Sequence, residues 1–296
     1  MSKPLKVLRG VRVVSLALNL PGPAALQRCK EMGATCIKLE PPAPAGQTTS
    51  DPMHIYSPAG HAEMHEGIKV VPVNLKTEQG QRQLHKQLEK ADVLITSFRQ
   101  SAMQKLGVDW KTLHKQHPHL SLVAIYGSTT NPDEAGHDLT YQAQNGLVTG
   151  LNLPPTLFAD MAGSLMASEA VLQCVLHRQK HDKGTLIEVG LSQAVSYLAR
   201  PRTTFDMQHP KALTGGGHVG YRVYACKDGR VALAALEPHF YQRVCVEAGI
   251  DPTVPDSILL DSSREAIEKW LAGKTRKQLD KLSVDKDIPL ETLPRD

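Results

Sequence analysis

No window of the 296-residue chain approaches the run of about 18 apolar residues that a membrane-spanning helix needs. The opening MSKPLKVLRG also lacks the apolar centre of a signal peptide, so no membrane association is expected and the cytoplasm is the expected compartment. Five cysteines (Cys29, Cys36, Cys174, Cys226, Cys245) stand apart with no CxxC pair, which argues against a disulfide framework and against a thiolate zinc site. No glycine-rich phosphate loop follows a strand-like run, so neither a nicotinamide nor a flavin is expected. No metal is expected either, because His61 with His65, and His114 with His117 and His119, match no established ligand spacing. Block charge is missing too: 34 Lys and Arg are interspersed with 30 Asp and Glu for a net charge of +4, which speaks against nucleic acid as a partner. A mild positive excess does suit a polyanionic small molecule held by a few fixed cations.

What is present is 41% hydrophobic residues, enough for a substantial core, arranged as short apolar runs alternating with helical spacing. Strand-like runs fall at 7–18, 35–39, 69–75, 93–95 and 120–126. Helical patterns fall at 23–32, 77–90 and 103–117. Strand, helix, strand at this spacing predicts parallel βαβ units and an open α/β sheet, whose ligands sit beyond the carboxyl ends of the strands. The stretch from Glu40 to His65 is rich in Pro, Gly, Ser and Thr without periodicity and is expected to border the site. Met161 to His181 is the most helix-like segment, closed by Gly184. A connector is expected over 200–220, between a large α/β domain (1–199) and a smaller α/β or α+β domain (221–296) with strands near 221–225 and 231–235 around Lys227-Asp228-Gly229.

Three stretches carry titratable groups in unusual company: Gly136-His137-Asp138 followed by Tyr141, Phe158-Ala159-Asp160 before the long helix, and Leu236-Glu237-Pro238-His239-Phe240. Each also has an ordinary structural explanation. Asp160 reads equally well as a helix N-cap, His137 as a histidine packed in a loop, and Glu237 as the end of a strand.

Together with Leu8-Arg9-Gly10-Val11, Pro21-Gly22-Pro23, Ile37-Lys38-Leu39-Glu40-Pro41-Pro42, Asn74-Leu75-Lys76, Ala91-Asp92-Val93-Leu94-Ile95, Phe98-Arg99 and Asp228-Gly229-Arg230, these stretches resemble the family III CoA-transferase (CaiB/BaiF) superfamily over nearly the whole chain. Gly136-His137-Asp138 and Glu237-Pro238 are most similar to the α-methylacyl-CoA racemases within it. The resemblance implies a Rossmann-like large domain, a smaller domain, an interlocked homodimer, and an acyl-CoA substrate with no permanently bound cofactor. It also implies 1,1-proton transfer at the α-carbon of a 2-methylacyl-CoA, with His137 and Asp160 as acid/base groups and Glu237 orienting one of them. Lys69, Ser97, Phe98, Arg99, Lys105, Gly136, Asp138 and Tyr141 are implied to hold the coenzyme and thioester.

Proton transfer of this kind needs a base, an acid on the opposite face and a stabiliser for the enolate oxygen. Asp160 must keep its proton near neutrality, for which Phe158, Met161 and Leu165 are candidate apolar neighbours; the amides of 161–163 are candidate oxyanion donors. The same helix end would also favour the ionised carboxylate. Two alternatives stay open. A family III transferase would use Asp160 as a nucleophile, and a non-catalytic relative would bind coenzyme A only; no cation lies between Pro42 and Asp51, where relatives usually carry an arginine.

Overall fold

Short runs of β-branched and aliphatic residues form the strands of the first unit, and the more polar segments between them form its helices. In chain order these are β1 (Arg12–Ser15), α1 (Pro21–Glu31), β2 (Thr35–Glu40), α2 (Met53–Tyr56), α3 (Pro58–Met64), β3 (Lys69–Pro72), α4 (Glu78–Leu88) and β4 (Val93–Thr96). They continue with α5 (Gln100–Leu106), α6 (Trp110–Gln116), β5 (Ser121–Tyr126), α7 (Asp138–Gln144), α8 (Phe158–His181), β6 (Leu186–Gly190) and α9 (Leu191–Thr204). The computed structural model describes residues 5–209 and 211–295. Two compact units divide the chain, Met1–Ala199 and Arg200–Asp296. Among the described residues no helix is long and apolar enough to cross a membrane.

The first unit is an open six-stranded sheet in the order β3-β2-β1-β4-β5-β6, parallel throughout. Neighbouring residues along a strand point to opposite faces, and both faces here are covered, so β4 and β5 are buried at every position. Val13, Val93, Ile95, Val123 and Ile125 pack with Leu26, Ala167, Val171 and Cys174 from α1 and α8. Val14, Leu94, Leu122 and Ala124 face the other way, onto Leu84, Leu88, Met103 and Leu113 from α4, α5 and α6.

Local chemistry revises several expected boundaries. The single helix expected over 103–117 is two, because Gly107 takes a left-handed conformation (φ 67°) that ends α5, and the Asp109 carboxylate accepts the Thr112 amide at 3.1 Å to start α6. The aperiodic stretch from Glu40 to His65 holds two short helices, the second started by Ser57 Oγ, which accepts the Gly60 amide at 3.1 Å. Strand β3 ends at Pro72 rather than Leu75, since Asn74 turns the chain toward α4 and its side-chain oxygen accepts the Lys76 amide at 3.1 Å. Helix α8 begins at Phe158, three residues before Met161. Part of the expected connector is helical, because α9 continues to Thr204 through Pro201.

The second unit contains β7 (Tyr221–Cys226), β8 (Gly229–Ala234), α10 (Pro238–Ala248), α11 (Asp261–Ala272), α12 (Arg276–Lys286) and β9 (Leu290–Leu293). Its sheet is antiparallel in the order β7-β8-β9, and Cys226 faces Gly229 across the two-residue turn at Lys227-Asp228. Val231, Leu233, Val244, Ile267, Leu271 and Leu279 form its core.

A buried ionic cluster ties the loop after β2 to the large sheet. Lys38, fully buried on β2, bonds to Asp51 and also meets His65 Nε2 at 3.0 Å and Glu40 Oε2 at 3.3 Å. Asp51 Oδ1 also accepts the Asn19 amide at 3.1 Å, so the cluster reaches the turn that follows β1. Removing one partner of a buried pair strands the other charge, so Asp51→Ala should destabilise the protein by about 3–5 kcal/mol in urea unfolding at pH 7. A loss below about 1 kcal/mol would show that Lys38 reaches other partners.

Candidate active site

Strand order reverses between β1 and β4, and at such a switch point the loops leaving two neighbouring strands diverge and open a crevice. Leu18 and Asn19 leave β1 there, Ser97, Phe98 and Arg99 leave β4, and Ile125 to Gly127 close β5. They enclose a cavity of about 250 Å³ whose remaining wall includes Gly136, His137, Tyr141, Asp160 and Leu191. The structure thus gathers residues that are more than 60 positions apart in sequence, such as Ser97 and Asp160, around one opening.

Asp160 is the third residue of α8 and does not cap it. That task falls to Asp138: its Oδ1 accepts the Ala159 amide at 2.8 Å and the Asp160 amide at 3.0 Å, while Gln142 Nε2 donates to Oδ2. Asp138, implied to face the thioester, is 5% exposed and absent from the cavity wall. The competition between helix dipole and burial is resolved by this arrangement. Asp138 occupies the amides that would have favoured an ionised Asp160, and its own negative charge opposes a second one nearby. Burial first, and the Asp138 charge second, push the Asp160 carboxyl up from 3.8 to about 7. Met161 and Leu165, expected to shield Asp160, are 42% and 47% exposed; Leu191 and Ile125 supply apolar wall instead. The amides of 161–163 are not free oxyanion donors as expected, because α8 starts earlier and the Met161 amide already donates to Leu157 O at 3.0 Å.

His137 stands in extended conformation just ahead of α7. Its amide donates to Thr140 Oγ1 at 3.1 Å, and Thr140 Oγ1 donates to the His137 carbonyl at 2.7 Å. These bonds fix its place at the start of α7. Tyr141, 2% exposed, threads its hydroxyl between Gly127 and Gly136; a Cβ on either glycine would overlap it. Gly136 is thus needed for close approach. Burial raises the Tyr141 pKa, with Glu134 and Asp160 adding to it, so the phenol is a neutral donor.

Of the remaining residues singled out in the sequence, Ser97, Phe98 and Arg99 line the cavity. Lys105 lies in a separate groove with Lys76 and Arg82, and Lys69 opens another groove with Arg12 and Lys30. Glu237 belongs to the second unit, where it precedes Pro238 at the start of α10. Asn19, Glu134 and Leu191 line the cavity without having been expected to; the positive φ of Asn19 (65°), in the turn Leu18-Asn19-Leu20, was the one local signal available.

Asp51, His61 and His65 do gather their ligand atoms within 4.8 Å, because His61 on α3 and His65 at its C-cap stand four residues apart. The Lys38 ammonium, bonded to both Asp51 and His65, already provides the positive charge that a metal would bring to this place. Burial, followed for His61 by Lys38, lowers the pKa of both imidazoles and keeps them neutral beside it.

The profile of CoA-transferase family III matches residues 8–294, and the chain belongs to that family. It is 28% identical to a probable fatty acyl-CoA transferase of Mycobacterium tuberculosis over 90% of this chain and 75% of that one. It is 27% identical to the α-methylacyl-CoA racemase of Mus musculus over 83% of this chain and 65% of that one. The crystal structure of a hypothetical protein from Mycobacterium tuberculosis superposes with a TM-score of 0.81 at 25% identity, covering 98% of this chain and 84% of the other. Transferases and racemases thus both stand among the relatives.

An acid whose folded pKa lies above its unfolded value makes the folded state bind the extra proton. Stability contributed by that proton is present below about pH 4 and lost as pH rises to about 7. Asp160→Asn removes the ionisation, so it should be more stable than wild type at pH 8 by roughly 2–4 kcal/mol, with little difference at pH 4. Equal effects at both pH values in chemical unfolding would contradict a raised pKa.

Proposed function

We propose that the chain acts on an acyl-CoA thioester as a 2-methylacyl-CoA racemase-like isomerase, exchanging a proton at the carbon beside the carbonyl. The observation that carries this reading is Asp160: a carboxyl group holding its proton to about pH 7, lining the same cavity as the His137 imidazole. The His137 ring removes the α-proton, and the C–H electron pair moves into the enolate. Asp160 then donates its proton to the opposite face of that carbon, and the reverse reaction exchanges the two roles. The Tyr141 hydroxyl donates to the developing enolate oxygen. Arg99, a forked donor at the cavity wall, and Lys105, which shares a groove with Lys76, suit the coenzyme's phosphates. None of these roles draws on Glu237.

A second reading is coenzyme A transfer through an Asp160 acyl intermediate, favoured by the similarity to a probable fatty acyl-CoA transferase. It needs an ionised carboxylate, whereas the proton-transfer pair must retain one proton in either direction.

We also propose that the protein is a homodimer, supported by the exposed apolar residues Met161, Leu165 and Leu176 along α8 and Leu151 and Leu153 before it. Sedimentation equilibrium should return twice the chain mass; a monomer at micromolar concentration would refute this.

With a 2-methylacyl-CoA in deuterated water and no acceptor acid, proton NMR should show loss of the α-proton signal. His137→Ala and Asp160→Ala should each slow that loss by about a hundred- to ten-thousand-fold. The exchange rate should fall at high pH as the shared proton is lost, whereas transfer needing ionised Asp160 would rise through about pH 7 to a plateau. Absence of exchange, together with coenzyme A transfer to an added acid, would decide for the transferase.

A further inference from the structure

We propose that the groove at the amino-terminal end of β1 and β2 is a second anion site, built for a diphosphate-bearing ligand and distinct from the catalytic cavity. Arg12 opens β1 here, while the catalytic cavity gathers around the turn that leaves the other end of that strand. Arg12, Lys30 and Lys69 line a groove of about 590 Å³ together with Gln87, and no carboxylate is among its lining residues.

Three features distinguish this groove from ordinary solvated surface charge. None of the three cations forms an ion pair with a carboxylate among the described residues. The carboxylate of Asp92 is engaged elsewhere, with Oδ2 accepting the Arg12 amide at 2.7 Å and Oδ1 bonded to Arg178. The Arg12 guanidinium has one weak contact, Nη2 to Gln87 Oε1 at 3.5 Å, and its buried Nε has no partner at all. The Lys30 head lies against the bare α-carbon of Gly67, in the left-handed region at φ 69°; a Cβ there would come within 2.9 Å of Lys30 Cε and 3.1 Å of Nζ.

Like charges gathered in one groove repel each other, and an anion relieves that repulsion. A forked guanidinium beside two ammonium groups is a donor set suited to phosphate oxygens. Three positive charges match a diphosphate better than a single carboxylate. The groove also has the size of a small-molecule site, with room for an organic group beyond the phosphates.

Isothermal titration calorimetry of the full chain with inorganic pyrophosphate, in the presence of saturating coenzyme A, tests the site apart from any coenzyme site. One equivalent should bind, with affinity falling as salt rises. Lys30→Gln and Lys69→Gln should each weaken binding at least about tenfold, and Gly67→Ala should weaken it by displacing Lys30 with no change in charge. Arg99→Gln should leave it unchanged. The two lysine heads are outside the core, and matching circular dichroism melts would confirm that the variants fold. The proposal is overturned by absence of binding at millimolar pyrophosphate, by undiminished binding in the Lys30→Gln/Lys69→Gln double variant, or by loss of binding when coenzyme A is present.

Discussion

The Asp138 carboxylate is the contact on which the candidate active site depends. It accepts two amides from the first turn of α8 while a side-chain amide bonds its other oxygen, and so joins the short helix α7 to the 24-residue helix α8. Three consequences follow from one buried charge. The start of α8, and with it Asp160, is held in place. The positive end of the helix dipole is answered by a residue other than Asp160. Behind the larger effect of burial, this negative charge adds to what keeps the proton on Asp160.

The same chain handles its other buried charges in the opposite way. Around Lys38, two carboxylates and a neutral imidazole surround an ammonium, so the cluster is paired and serves to hold the loop after β2 against the sheet and the Asn19 turn. Asp160 is given burial and a like-charged neighbour, and no ion pair among the described residues. That contrast separates a structural ion cluster from a site with a perturbed proton affinity, although both lie near the carboxyl ends of the strands. The groove around Arg12, Lys30 and Lys69 shows a third arrangement, cations with no acid, at the other end of β1.

Legibility of the fold followed the strength of local signals. Strands β4 and β5 were evident because burial on both faces leaves uninterrupted apolar runs. Strands β6 and β9 were missed: each is four or five residues long, partly exposed, and carries a glutamate, so neither run stands out from a loop. The merged helix over 103–117 failed at Gly107 and Asp109, where an end signal and a start signal sit two residues apart within a single apolar period. Of the cavity wall, His137, Asp160 and Tyr141 were singled out by their motifs and Leu191 was not, since nothing local distinguishes a leucine that opens a helix from one that also walls a cavity.

By itself the amino-acid sequence determined the α/β alternation, the family and a short list of candidate side chains, because periodicity, turn residues and motif order are properties of neighbours along the chain. Tertiary structure alone decided which of those side chains share a cavity and which proton stays on which group. It separated Lys69 and Lys105 from Arg99, moved Asp138 from the cavity wall to the cap of α8, and brought Asp51 to His61 and His65. Desolvation and charge proximity act through space, and the distance between Asp138 and Asp160 is fixed by how two helices pack, which no count of intervening residues contains.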